Sequence, residues 1–157
     1  MSVLVKSVPV SRVPWEFPSE SDNEIDLPAV AANISLPSVV VSGLPSGLTI
    51  ERVFPKVKIR AIENTNAGGP NGINGAQNIQ VQKGAGAWAT AINLPDNLWT
   101  VAASTRENGD VLLGDNDLKA TVDGNATYNF RFTNALVDLA SLRLNGVIVM
   151  LLIYFKA

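Results

Sequence analysis

The sequence predicts an all-β protein: a single jelly-roll-like β-sandwich with an extended N-terminal arm. Three observations predict it. Short segments alternate apolar and polar residues with the two-residue period of a half-buried strand. Turn-forming Gly, Asn, Asp and Pro separate them at intervals of roughly 8 to 12 residues, the spacing of sandwiches and barrels. Residues 1–33 break that pattern, with Pro9, Pro14, Pro18 and Pro28 and the polar run SESDNEID.

The arm comes first. Proline fixes φ and supplies no backbone donor, so this stretch is predicted to be neither a helix nor a central strand. It is too apolar for a solvated linker, which is normally poor in such residues. Val8, Val10, Trp15 and Phe17 are its candidate anchors, and they dock either on a neighbouring subunit or back over their own domain. Residues 34–157 form the sandwich. Within it SVVVSG, LTIERVF, KVKIRAIE, NIQVQ, WATAI, LWTVAAST, DVLLG, LKATV, TYNFRF and GVIVMLLIYFK read as strands. In KVKIRAIE, Val57, Ile59 and Ala61 share one face. In TYNFRF, Tyr128, Phe130 and Phe132 do. LPSG, ENGD, GDND and VDGN read as turns, because Gly and Asn tolerate positive φ. The nine-residue apolar run Val147–Phe155 reads as a strand buried on both faces, too short to cross a bilayer as a helix, which takes about 20 residues. The segment 134–145, with Leu136, Leu139 and Leu142 three apart, allows a short helical turn.

Composition excludes several functions. The chain has no His and no Cys. Ser-His-Asp and Cys-His catalysis are therefore out of reach, as are disulfides and thiolate metal sites. A net charge of −2 without a Lys/Arg cluster gives no electrostatic footprint for nucleic acid. MSVLVKSVPVSRVPW lacks the n-region and h-region of a secretory signal, and the lack of cysteine favours folding in a reducing cytosol. Charged residues make up 17% of the chain, below the roughly 25% of an ordinary domain, which suits a surface partly covered by other subunits.

Three features invite a site and have plainer readings. The stretch NTNAGGPNGINGAQN, Asn64 to Asn78, matches neither phosphate-cradling glycine pattern and reads as a long loop between strands, shaped by contacts with other subunits or else merely tolerated. Asp110, Asp115, Asp117 and Asp123 gather carboxylates that would suit calcium, Asp115 and Asp117 best, but the EF-hand spacing fails and Asp is an ordinary turn residue. Trp88, Trp99 and Tyr128 would make a sugar-stacking platform, or simply core. No catalytic residue, cofactor or metal is assigned.

The phrases PSVVVSGLPSGLTIERV, AIENT, INGAQNIQVQ, LWTVAASTRENGDVLLGDNDL and VDGNATYNFRF, spread over about residues 36–155, resemble small all-β virion proteins of phages and viruses, capsid or head-decoration. The resemblance implies a jelly roll on or in a shell, with an arm clasping a neighbour, and brings no catalytic residues. It implies a non-enzymatic cement or capsid subunit, located in the virion and made in the host cytoplasm. Its partners would be copies of itself, as a homo-oligomer and as a guess a trimer, and a major capsid protein; neither nucleic acid nor membrane is expected. The alternatives are a carbohydrate- or receptor-binding module of tail-fibre or lectin type, a subunit of an extracellular filament or surface layer, or an enzyme built on carboxylates or a Ser-Lys pair.

Overall fold

The computed structural model describes residues 13–19, 23–28, 32–73, 77–95, 98–135 and 142–156. Every regular element among them is a strand: β1 (Trp15–Pro18), β2 (Asn23–Leu27), β3 (Ala32–Val41), β4 (Thr49–Asn64), β5 (Asn71–Gly72), β6 (Gln77–Lys83), β7 (Trp88–Leu94), β8 (Thr100–Val101), β9 (Arg106–Leu113), β10 (Ala126–Ala135) and β11 (Leu142–Lys156). All described pairings are antiparallel.

Two main sheets share one core. In the first, β11 and β4 are central, β9 forms one edge, and β1 then β2 run along the other edge of β11. The second has the order β3-β10-β6-β7, and β5 and β8 make a small separate pair. The pairings nest. β1 and β2 meet β11, β3 meets β10, β4 meets β9, and β6 meets β7. The chain is thus a ribbon doubled back at the β6–β7 turn, with successive pairs falling alternately in the two sheets. Gly84 makes that turn at φ 53°, and Gly86 N–H closes it on Lys83 O at 2.9 Å.

The core takes alternate residues from both inner faces. Val57, Ile59 and Ala61 are buried in the first sheet, and Tyr128, Phe130 and Phe132 in the second, on the faces that alternation predicts. Leu118 and Val122 plug one end from a turn. Both Thr121 N–H and Val122 N–H bond to Leu118 O, so LKATV forms a turn where a strand was expected. Of LWTVAAST, only Thr100 and Val101 are in a strand.

Two further expectations change. LTIERVF and KVKIRAIE are one 16-residue strand that runs through Pro55. A residue in an antiparallel ladder turns its N–H and C=O to the same neighbour. Pro55 turns its carbonyl to Gly114, just beyond the end of β9, at 3.0 Å, so its missing donor falls where the ladder stops. ENGD is no turn but lies inside β9, where Gly109 presses so close to β4 that a Cβ would sit 1.6 Å from Ile59 O.

The long apolar strand β11 is buried on one face only. Val147, Val149, Leu151 and Ile153 lie in the core, while Ile148, Met150, Leu152 and Tyr154 point outward, half-buried. Leu142 and Leu144 are also in the core. The inward phase therefore slips by one between Leu144 and Val147, and the pairing with β2 shifts there too. Gly146, at φ 62°, absorbs the slip as a bulge. Leu142 opens β11, and residues 136–141 of the segment read as a helical turn lie outside the described residues.

Candidate functional site

Of the predicted arm anchors, Trp15 and Phe17 lie in β1, and Val8 and Val10 lie outside the described residues. β1 pairs with the chain's own β11, Trp15 opposite Ile153 and Phe17 opposite Leu151. Phe17 packs half-buried against the core. Trp15 meets Phe155 edge to face, with ring centroids 5.5 Å apart, yet remains 44% exposed. The prolines fit this place. An edge strand has one row of backbone groups facing solvent, so Pro14 and Pro18 leave no ladder bond empty there.

Two side chains fasten the edge. Ser19 N–H donates to Val149 O at 2.7 Å, and Val149 N–H donates to Ser19 Oγ at 3.2 Å. These bridge the short break between β1 and β2. Arg143 on β11 donates to Asp26 Oδ1 at 2.9 Å and lies 3.2 Å from Glu24 Oε1. The bond it donates to Asp26 and the charges of both carboxylates hold its guanidinium above the ordinary arginine range.

An open bowl of about 500 Å³ adjoins Phe155, with Leu44, Leu48 and Ile50 on one side and Lys119, Asp123 and Asn125 on the other. Asn125 Oδ1 accepts Leu44 N–H at 3.2 Å and ties the two bounding loops together. Val13, 79% exposed, stands beside Trp15 where residues 1–12 join the domain. Half-buried Phe155, touched by Trp15 and lining the bowl with Leu48, thus adjoins exposed apolar groups at one end of the sandwich, with Val13 two residues before Trp15.

Asp110, Asp117 and Asp123 make contacts within the fold, and Asp115 is exposed in the turn after β9. Asp117 Oδ1 accepts Val53 N–H at 2.9 Å and Lys119 N–H at 3.1 Å. Asp110 takes the indole N–H of Trp99 at 3.1 Å, and Asp123 pairs with Lys83. Among the described residues no three potential His, Cys, Asp or Glu ligands converge. The aromatic trio does not form a platform. Trp99 and Tyr128 are core residues, and the guanidinium of Arg131 caps Trp88 at 4.1 Å from the ring centre. Tyr128 donates its hydroxyl to Gly124 O at 2.7 Å, and burial pushes its phenol above the ordinary tyrosine value.

Over its described residues 64–73 the Asn-Gly loop is tied down by its own side chains. Asn64, fully buried, donates through Nδ2 to Gly69 O, Val101 O and Ala102 O at 3.0, 3.0 and 3.2 Å. Its Oδ1 accepts Asn66 N–H at 3.0 Å. Gly72 then passes so close to Trp99 that a Cβ would lie 2.0 Å from Trp99 O, and Ile73 enters the core.

Sequence reasoning did not single out Asn64, Ser19 or Arg143. Asn64 also reaches Val101 37 residues away, Ser19 bonds to Val149 and Arg143 to Asp26, and no local pattern marks these long-range partners. Compared with known proteins, the chain matches no family model and no curated protein sequence.

Proposed function

We propose that this chain is a non-enzymatic structural subunit of a virus-like assembly, a capsid or capsid-decoration protein that associates with copies of itself and with a major capsid protein. The observation that carries the reading is the nested strand order. Count β1 with β2 as one strand and leave out the β5–β8 patch. The eight strands then lie in the orders 1-8-3-6 and 2-7-4-5. That order supports the jelly-roll reading, the double-sheet architecture of many viral shell domains. Lectins and cupins share it, so fold alone does not decide. The surface favours assembly. Exposed apolar Val13, Trp15 and Leu48 stand at the end from which residues 1–12 lead off, and Val8 and Val10 lie in that stretch of sequence. Extended at about 3.3 Å per residue, twelve residues reach roughly 40 Å, far enough to clasp a neighbour. A closed ring, with a trimer as the expected copy number, adds avidity to each clasp.

The experiment is light scattering on the full chain beside a chain lacking residues 1–12. Removing 1–33 would strip β1 and β2 and bare the edge of β11, which confuses folding with assembly. A defined oligomer that becomes a folded monomer on truncation supports the reading. Equal masses for the two chains refute the arm's part in it.

A second reading, a glycan- or receptor-binding module, draws on the outer face of the second sheet. There Arg131 lies over Trp88 and donates through Nε and Nη2 to Gln80 Oε1 at 2.9 and 2.8 Å. Saturable glycan binding lost in Trp88→Ala supports that reading; its absence across a broad glycan panel removes it.

A further inference from the structure

One face of the first sheet is built unlike a solvated face. An antiparallel sheet that meets water alternates apolar-in and polar-out. β11 instead places Ile148, Met150, Leu152 and Tyr154 outward in succession. Strand register widens the patch. Ile148 pairs with Lys58 and that with Val111; Met150 pairs with Lys56 and that with Leu113. Val111 and Leu113 are 47% and 66% exposed. Phe54, opposite Leu152, meets Tyr154 edge to face. A hollow of about 320 Å³ opens at the Gly146 bulge, between Arg60, Val111 and Ile148.

The charges on this face are sorted by end. Around the apolar end stand Arg52, Lys56, Lys58 and Arg60, against two acids, Glu16 on the β1 edge and Glu51 beside Arg52. Among the described residues neither Lys56 nor Lys58 forms an ion pair. Beyond the bulge the sign reverses. Glu24, Asp26 and Glu63 gather around Arg143, with Arg106 opposite Glu63. Three carboxylates there face two guanidinium groups.

The size suits a specific contact. At about 3.3 Å per residue the 15 residues of β11 span roughly 50 Å, and four strands at about 4.8 Å spacing span roughly 14 to 19 Å. That is about 700 to 950 Å², against about 800 Å² per partner in a standard interface.

We infer that this face seats a second copy of the chain, sheet upon sheet across a two-fold axis, with the strands of the two copies reversed. Reversal brings the cationic, apolar end of each copy over the acidic end of the other, so that Lys56 and Lys58 meet the other copy's Asp26 and Glu63. A parallel stacking would set lysine on lysine. The inference deepens the assembly reading and rests on it for the association of copies.

The test is a charge swap in the full chain, read as mass by sedimentation at low salt. The wild type is expected at twice the 16.7 kDa of one chain, or at six chains where this contact pairs two trimeric rings. Lys56→Glu and Glu63→Lys are each expected to weaken the dimer at least tenfold. Mixed one to one, the two variants are expected to pair again, because every contact then joins opposite charges. Circular dichroism checks that each variant folds, and Lys56→Gln, expected to weaken the dimer less, serves if the reversal does not. Single variants that keep the wild-type mass, or a mixture that stays monomeric, overturn the inference. So does a monomeric wild type that binds anionic vesicles through Lys56. An oligomer indifferent to the swaps but lost on removing residues 1–12 sinks this face and keeps the assembly reading. A swap-sensitive dimer that ignores that truncation keeps the face and sinks the arm.

Discussion

Replacing Asn64 by Ala should loosen one end of the molecule by a calculable amount. Its amide offers two hydrogens to three carbonyls, so one hydrogen is shared between Val101 O and Ala102 O. With the bond accepted from Asn66 N–H, the side chain makes the equivalent of three full hydrogen bonds. At about 1 kcal/mol net each, their loss costs about 3 kcal/mol, and more if the carbonyls stay buried without partners. For a chain of this length that lowers the melting temperature by about 6 to 12 °C. Asn64→Asp should be no milder, since it aims a carboxylate at three carbonyl oxygens. Calorimetry gives the global loss. Hydrogen exchange should show the amides of Asn66, Ser104 and Thr105 opening first, since their bonds knit this corner. A loss under about 1 kcal/mol in Asn64→Ala, with exchange unchanged there, would refute the claim that one amide organises the loop.

Other outcomes follow from the same packing. Gly109→Ala must push β9 off β4, because its Cβ would meet Ile59 O at 1.6 Å, and should cost about 2 to 4 kcal/mol in urea unfolding. Asp117→Ala should cost about 1 to 2 kcal/mol, with Asp117→Asn recovering part of it, since an amide oxygen still accepts from Val53 N–H; a calcium ligand would show no such recovery and would respond to chelator. Tyr128 binds its proton more tightly folded than unfolded, so its contribution is whole below the ordinary value near 10 and is lost as pH climbs above it. Unfolding midpoints should therefore fall above pH 10.0, and Tyr128→Phe, which loses the bond to Gly124, should flatten that fall. Phe17→Ala should cost about 2 to 3 kcal/mol, less than a fully buried phenylalanine, and raise exchange along the β1 edge of β11.

The sandwich's inner faces were legible wherever one side of a strand is covered and the other wet. Val57, Ile59 and Ala61, and Tyr128, Phe130 and Phe132, declare themselves by a period of two. β11 was legible as a strand but not as a face, because periodicity cannot say whether its second side has a cover. ENGD misled because a turn signal is local, whereas Gly109 answers to Ile59 O on another strand. The proline-punctuated start reads as extended in either view, but proline spacing does not reveal that Trp15 and Phe17 line up with Ile153 and Leu151 at the far end of the sequence. The candidate anchors rest on composition, and the partners of Asn64 and Asp117 are invisible without the fold.

The nested ribbon sets a timetable for synthesis. As the chain leaves the ribosome, β6 and β7 are the first strands able to pair, across the tight turn at Gly84. Every earlier strand must wait for a later one, in reverse order of its own emergence: β4 for β9, β3 for β10, and β1 and β2 for β11. β1 and β2 are thus the first of these strands to be made and the last to be placed, and until β11 emerges they have no strand of their own chain to join. On a polysome that delay leaves them open to the β11 of a neighbouring nascent copy, so exchange of the N-terminal edge between chains should rise with crowding of the message.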